Sequence, residues 1–307
     1  MRSYEQVARP RKEWQERGFV EIQKGKVASI VLAGGKGTRL GSDRPKALFR
    51  FPSLGGCSLL EILASKMVDA AKKAQRPLSS WILCSEENRE ALEQHVRALQ
   101  LPPLIHWRFV AQKNILHPCG DLGPGGNGAL YRSLAGAGAL DQWQEEGTER
   151  VMVIPIDNPL AHPFDPMLIG FSAEKSYDAC LVALENRGEY KTMGALAEME
   201  GRLRIVEYYE NGGRLMPSYC NANQFCFSRG FFARAAQLSL PYHLVKRAPG
   251  TKKEQLLFDA LHITKNTGAL VYDQDRYAPL KEPTGPYGIA AVTRALEKML
   301  APEEVLS

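Results

Sequence analysis

Residues Val27-Ala28-Ser29-Ile30-Val31 form a short apolar, β-branched run. It passes directly into Leu32-Ala33-Gly34-Gly35-Lys36-Gly37-Thr38-Arg39-Leu40-Gly41, and Pro45-Lys46 follows four residues later. The run reads as a buried strand. A buried strand that feeds a glycine-rich turn is the way α/β proteins hold phosphate groups. Glycines let the backbone approach an anion closely and take up positive φ, and the N–H groups of the turn then point at the anion. Arg39 and Lys46 add two full positive charges to the same stretch.

Spacing separates this loop from two common phosphate loops. A P-loop needs G-x-x-x-x-G-K-[ST], but Thr38 follows Gly37 and Ser42 follows Gly41. The dinucleotide fingerprint is G-x-G-x-x-G. Gly35-Lys36-Gly37 meets its first half, and Gly41 then comes one position late. The pattern that remains is L-x-x-G-x-G-T-x-x-G-x-x-x-P-K.

A chain of 307 residues allows one large domain, or one domain with a satellite. Hydrophobic residues make up 44% and charged residues 24%, ordinary values for a globular chain. No apolar stretch reaches the length of a membrane span, and Met1-Arg2-Ser3-Tyr4-Glu5 opens without an apolar signal core. The expectation is a cytoplasmic protein with no membrane partner. Cys57, Cys84, Cys119, Cys180, Cys220 and Cys226 are scattered with no C-x-x-C, which suits reduced thiols rather than a disulfide framework or a zinc site. A net charge of +5 suits small anionic substrates and is too diffuse for nucleic acid.

The order of elements predicts alternating strands and helices. Residues 3–26 read as a polar helical segment. Ser58 to Ala74 has apolar residues at helical spacing behind a capping serine. Trp81–Cys84 reads as a strand, Glu86–Leu99 as a helix and His106–Val110 as a strand; a Gly/Pro loop spans Cys119–Gly128, and Ala129–Leu140 reads as a helix. Val151–Ile154 is an apolar strand that ends at Pro155-Ile156-Asp157-Asn158. This alternation predicts a doubly wound sheet with its site at the C-terminal strand ends. The second half changes rhythm. Strands are expected over Ala179–Leu184, Gly194–Glu198, Leu203–Tyr209, Asn223–Phe227 and Ala269–Tyr272, and helices over Gly230–Ser239, Glu254–Ile263 and Thr293–Leu300.

Several points along this order carry chemistry. Gly123-Pro124-Gly125-Gly126-Asn127-Gly128 precedes a helix, and a helix N-terminus suits an anion or a base edge. Asp157 ends a strand, and a carboxylate is a natural ligand for magnesium, which prefers one or two carboxylates plus phosphate oxygens. Lys246, Arg247 and Lys252 are cations between expected elements, and His243 reads as a structural histidine.

The loop resembles the UTP-binding loop of the eukaryotic-type UDP-sugar pyrophosphorylases. The stretch Gly123–Leu134 resembles the P-x-G-N-G-G-L-Y-x-x-L segment of the UDP-N-acetylhexosamine pyrophosphorylases, with Ala129 in place of a glycine. Arg204-Ile205-Val206-Glu207-Tyr208 resembles that family's V-V-E-Y strand, and Cys220–Phe225 its N-I-A-N-H-F segment. The resemblance runs from Trp14 to Lys281 and takes in Gln255–Asp259 and Asp275–Lys281. Two features depart from it. Pro-Lys-Gly-Met-Phe is Pro45-Lys46-Ala47-Leu48-Phe49 here, and much of the family's N-terminal helical region and C-terminal domain has no counterpart.

The resemblance implies a Rossmann-like, doubly wound mixed α/β sheet of the nucleotidyltransferase (GT-A-like) type, with a β-rich, sugar-binding second half. The expected division is an N-terminal helical segment 1–26, a catalytic domain 27–285 split at 165 into nucleotide and sugar halves, and a C-terminal helix 286–307. It implies nucleotide binding by Leu32, Ala33, Gly34, Gly35, Gly37 and Thr38, with Gln112 and Gly126 at the uracil edge. Asn127, Gly194, Glu207, Asn223 and Lys252 fall to the sugar side, and Asp157 to Mg²⁺. Arg39 and Lys46 would neutralise the leaving pyrophosphate, and Lys246 would meet the incoming phosphate. Its register is ambiguous by one residue, so Arg247 competes with it. The implied reaction joins UTP and N-acetylglucosamine 1-phosphate, or a related sugar 1-phosphate, into UDP-sugar and pyrophosphate. The alternatives are the same chemistry on glucose or galactose 1-phosphate, and a catalytically silent UDP-sugar sensor. The oligomeric state is left open and is compatible with a monomer.

Overall fold

The computed structural model describes residues 6–188, 190, 193–207, 217–247 and 250–300. Ten strands form one sheet. In chain order they are β1 (Val7–Ala8), β2 (Val27–Leu32), β3 (Leu78–Ser85), β4 (Ile105–Gln112), β5 (Arg150–Pro155), β6 (Ala179–Glu185), β7 (Ala195–Met199), β8 (Arg202–Val206), β9 (Tyr219–Ser228) and β10 (Thr267–Tyr272). The helices are α1 (Lys12–Gln23), α2 (Leu59–Ala74), α3 (Arg89–Ala98), α4 (Leu130–Gly136), α5 (Ala139–Glu145), α6 (Pro166–Glu174), α7 (Arg229–Ala236) and α8 (Ile289–Leu300). The strand order is β1-β10-β6-β9-β5-β2-β3-β4, and β7 and β8 form a hairpin that joins β9. All neighbours along the main path are parallel except β9, which runs antiparallel to both β6 and β5. The sheet is therefore mixed, in the expected doubly wound arrangement.

Strand side chains alternate between two cores, as the twofold period of a strand requires. Val31, Ile82, Cys84, Met152 and Ile154 face the core capped by α1, α2, α3, α6 and α8. Ala28, Ile30, Trp81, Leu83, Val151 and Val153 face the core capped by α4, α5 and α7. There Trp143 stands edge-on to both Trp81 and Phe232, with centroids 5.9 and 5.0 Å away, an arrangement that aromatic quadrupoles favour. On the first face α1 lies against α6 closely enough that a Cβ on Gly18 would sit 1.8 Å from the Pro166 carbonyl oxygen, and one on Gly170 1.7 Å from that of Trp14. The contact admits only glycine at either position.

The expected Ser58 cap of α2 is a full capping box. The Ser58 hydroxyl accepts from the Glu61 N–H at 3.1 Å, and the Glu61 carboxylate accepts from the Ser58 N–H at 2.6 Å. Four segments depart from the sequence expectation. The single helix over 3–26 is a short strand, Val7–Ala8, followed by α1; Val7 pairs with Ala269 and so extends the sheet edge. Ala129–Leu140 is two helices, broken at Gly138, whose φ is +79°. The helix α6 was not anticipated: it is apolar on nearly every side, buried from Leu168 to Ala173, and so shows no amphipathic period. Glu254–Ile263 is not an α-helix. Gly250–Glu254 pairs with His243–Arg247 as a β-ribbon, and Leu257–Ile263 follows as a 3₁₀ turn. Among the described residues no helix is long and apolar enough to cross a membrane.

Candidate active site

β2 lies at the centre of the sheet, between β5 and β3. Its neighbours fasten its C-terminal end from both sides: Ile156 N–H donates to the Leu32 carbonyl at 3.1 Å, and Ala33 N–H to that of Leu83 at 2.7 Å. Such a point, where the strand order reverses, is where open α/β sheets carry ligands.

The glycine loop leaves β2 here and folds back on itself. Gly37 N–H donates to Arg44 O and Lys46 N–H to Gly35 O, both at 3.0 Å. The Asn88 side-chain amide donates to the carbonyls of Gly34 (3.3 Å) and Gly35 (3.2 Å). The N–H groups of Gly34, Gly35, Lys36, Thr38 and Arg39 make no hydrogen bond among the described residues. A run of open N–H groups is an anion cradle.

Lys46 and Asp157 meet across this cradle. Lys46 Nζ is 3.8 Å from Asp157 Oδ2 and donates to the Leu280 carbonyl at 3.1 Å. Burial pushes the Lys46 ammonium below its ordinary 10.5; Asp157 pulls the other way, and the charges of Arg39 and Lys281 add to the depression. Four of the sequence-predicted phosphate-site features (the loop, Arg39, Lys46 and Asp157) are thus one electrostatic group. Arg39 is solvent-exposed and forms no ion pair with a described residue.

The last residue of β4, Gln112, is 5% exposed and packs over Gly34, where a Cβ would stand 2.7 Å from Gln112 Nε2. Gln112 Oε1 is buried with no partner among the described residues, an acceptor that a ligand donor would satisfy. Gly126, at φ +93°, approaches the 250–254 ribbon, and a Cβ there would stand 2.4 Å from Gln255 O. Asn127 Oδ1 accepts from Leu257 N–H at 2.9 Å, so one end of its amide is committed to the fold.

The residues expected on the sugar side form a second group. A Cβ on Gly194 would lie 3.2 Å from Glu207 Oε1, and the Gly194 carbonyl accepts from Asn221 N–H at 2.9 Å. Asn223 sits in a β-bulge at φ +57°, its N–H donating to Asn221 Oδ1 at 2.9 Å. Between the Leu181–Phe225 and Ala183–Asn221 pairs, β6 advances two residues and β9 four, which brings Asn223 out of the ladder. Phe225 pairs with Val153 of β5, so the bulge stands at the same end of the sheet as Asp157.

Lys252 lies elsewhere on the rim. Its charge bears on His117, which is buried and whose imidazole is held below its ordinary 6.5, first by burial and then by Lys252. Lys253 N–H donates to His117 Nδ1 at 3.4 Å. Lys246 and Arg247 belong to the partner strand of that ribbon, and their side chains lie outside the described residues. His243 pairs with Asp259 at 2.8 Å, consistent with a structural histidine.

Sequence reasoning missed Asn88, and it noted Asp275–Lys281 only as part of the resemblance, with no role for Lys281 or for the strap that runs from Arg276 to Lys281. The strap threads behind the site: Leu280 N–H donates to Asp157 O at 2.7 Å, and Ala278 N–H to Asn158 Oδ1 at 3.2 Å. Tyr277 and Tyr190 lie edge-on at 6.1 Å beside it. Burial, and then the charge of Asp157, holds the Tyr277 phenol well above its usual range. The Pro-Leu-Lys of the strap, like the Asn that follows Glu86-Glu87, shows no local periodicity that would mark it.

Known proteins resemble this chain in sequence and in fold. The family model described as UTP–glucose-1-phosphate uridylyltransferase matches residues 1–227. The human "UDP-N-acetylhexosamine pyrophosphorylase-like protein 1" is 27% identical over 322 residues, taking in 88% of this chain and 63% of its own. A protein of Encephalitozoon cuniculi (strain GB-M1) named "Probable UDP-N-acetylglucosamine pyrophosphorylase" is 28% identical, over 85% of this chain and 82% of its own. This chain thus spans somewhat under two thirds of the human relative. The crystal structure of the UDP-N-acetylglucosamine pyrophosphorylase of Trypanosoma brucei, in complex with an inhibitor, superposes with a TM-score of 0.79 at 23% identity, over 93% of this chain and 67% of that one. The fold is that of the UDP-sugar pyrophosphorylases, and the chain belongs to the UTP–glucose-1-phosphate uridylyltransferase family.

Proposed function

We propose that this protein is a UTP-dependent sugar-1-phosphate uridylyltransferase, with an N-acetylhexosamine 1-phosphate as its sugar substrate. The observation that carries the reading is the meeting of the loop's open N–H groups with Lys46 and Asp157 at the ends of β2 and β5. An oxygen of the sugar phosphate attacks the α-phosphorus of UTP in line. A new P–O bond forms, the bond to the bridging oxygen breaks, and pyrophosphate leaves with that electron pair. No covalent enzyme intermediate is needed, so catalysis rests on alignment and charge neutralisation.

In this reading Gly34, Gly35, Gly37 and Thr38 cradle the triphosphate, continuing from Leu32 and Ala33. Arg39 and Lys46 neutralise the departing pyrophosphate. Gln112 and Gly126 meet the uracil edge; Asn127, Gly194, Glu207 and Asn223 hold the sugar; Lys246 or Arg247 meets the incoming phosphate, with Lys252 nearby on the ribbon. Among the described residues no three carboxylate, histidine or cysteine groups gather to enclose a metal. Asp157 is a single, partly open carboxylate, 24% exposed, and that donor set fits Mg²⁺, which completes its shell with phosphate oxygens and water. When bound there, Mg²⁺ supplies charge to the α-phosphate. Asp157 orients that charge, and Lys46 balances Asp157.

The names of the relatives and the absence of a side chain at Gly194 beside Glu207 favour an N-acetylated sugar. The family description favours glucose 1-phosphate. Cytoplasmic residence belongs to this proposal, and the six scattered cysteines with no C-x-x-C support it. The test is exchange of labelled pyrophosphate into UTP in the presence of a UDP-sugar. Exchange with UDP-N-acetylhexosamines supports the reading, and exchange only with UDP-hexoses moves it to the glucose class. Binding without exchange would make the chain a silent sensor.

A further inference from the structure

We propose that Asn88 is a positioning residue that sets the aim of the phosphate cradle. The inference deepens the uridylyltransferase reading, because it concerns the same loop. Asn88 is 3% exposed and sits just beyond the C-terminal end of β3, where α3 begins. Its own N–H is tied to Ser85, donating to the Ser85 carbonyl and hydroxyl oxygens, each at 3.2 Å. That anchors its backbone, and both described hydrogen bonds of its side-chain amide go to two consecutive loop carbonyls, those of Gly34 and Gly35.

The consequence follows from peptide geometry. In a planar trans peptide the carbonyl of one residue and the N–H of the next point in opposite directions. Drawing the Gly34 and Gly35 carbonyls toward Asn88 therefore turns the N–H groups of Gly35 and Lys36 away from it. Asn88 stands at the end of β3, on one side of β2; Asp157 stands beyond the end of β5, on the other. The N–H groups are thus aimed across β2 toward the side that holds Asp157. Glycine peptides turn over easily, and without a donor at position 88 the Gly34–Gly35 peptide is free to present its carbonyl oxygen to the phosphates, while the Gly35 carbonyl keeps only its bond from Lys46 N–H. The Gly35 carbonyl also accepts from Lys46 N–H, so one acceptor links Asn88 to the backbone that carries the lysine.

The test uses the whole chain with Asn88→Ala and Asn88→Asp. Calorimetry measures the affinity for UTP and for inorganic tripolyphosphate, beside thermal melting and the KM for UTP against kcat. Loss of two neutral hydrogen bonds that orient the cradle should weaken UTP and tripolyphosphate binding about tenfold in N88A. The KM for UTP should rise by more than kcat falls. N88D keeps the size of the side chain but is acceptor-only when ionised. Burial beside two carbonyl oxygens raises the pKa of such a carboxyl, so N88D should bind more weakly than N88A at pH 8 and recover relative to N88A as the pH falls toward 5 and the protonated carboxyl again donates. A residue that only braces the fold would show neither the ordering nor the pH-dependent recovery. Affinity in N88A within twofold of wild type, or N88D matching N88A at every pH, would overturn the proposal. Tight UTP binding by wild type without turnover on any sugar phosphate would sink the enzymatic reading and leave the Asn88 comparison readable. Wild-type protein that binds neither UTP nor tripolyphosphate would sink both.

Discussion

The glycine loop and the group of residues proposed to hold the sugar reach one end of the sheet by different routes. The loop is a single continuous stretch, 33–46, pinned to its own backbone and to Asn88. The sugar side is assembled from the ends of β7, β8 and β9, with Gly194, Glu207 and Asn223 brought together by a hairpin and a bulge. A local device depends on backbone geometry at fixed spacing, so few residues dominate it. An assembled pocket shares its energy among contacts, and each change should cost less.

That contrast orders the expected effects. Lys46→Ala removes a charge that is worth most in the transition state. It should lower kcat about 10²–10³-fold in steady-state pyrophosphate release, with Arg39→Ala in the same direction. A loss under tenfold for Lys46→Ala would break the assignment. Glu207→Ala should cost about 10- to 100-fold in kcat/KM for the sugar phosphate, the value of charged hydrogen bonds, with little change in the KM for UTP. A rise confined to UTP would place Glu207 on the wrong side of the comparison. Gly194→Ala drives a methyl against Ile205 and Glu207; a few-fold loss on the sugar phosphate is expected, a milder copy of Glu207→Ala.

Two smaller effects are readable by pH. Lys46 is held below its ordinary 10.5 by burial, so it should lose its charge earlier than a free lysine. The alkaline fall of kcat/KM should begin below that value, and Lys46→Arg should move it to higher pH while lowering the rate. His162 lies on the connection between β5 and α6, and burial holds its imidazole down to about 4, from 6.5. Between those values the unfolded chain binds the proton and the folded chain does not. Stability is therefore full above 6.5 and is lost as pH falls toward about 4. Urea midpoints measured from pH 7 to pH 4.5 should fall, and His162→Gln should flatten that slope.

Much of the loop was legible in the sequence because glycine and cation spacing is local, and the strand before it is uniformly apolar. Ser58 announced α2 for the same reason. Asn88 left no such signal: its role appears only when β3 is laid beside β2. α6 escaped because a helix buried on all sides carries no 3.6-residue contrast. Glu254–Ile263 does not form the expected α-helix. Tertiary bonds decide it instead, with Gln255 N–H donating to Gly125 O, Leu257 N–H to Asn127 Oδ1 and the Tyr131 hydroxyl to Leu257 O. The sugar side was legible only through resemblance, because neither Glu207 nor Asn223 stands out within its own segment.

The most direct test is a coupled pyrophosphate-release assay with UTP, Mg²⁺ and a panel of glucose, galactose, N-acetylglucosamine and N-acetylgalactosamine 1-phosphates. The account predicts release by the wild-type protein that is fastest with an N-acetylated sugar and nearly abolished by Lys46→Ala. No release with any sugar phosphate, from protein that binds UTP, would contradict it.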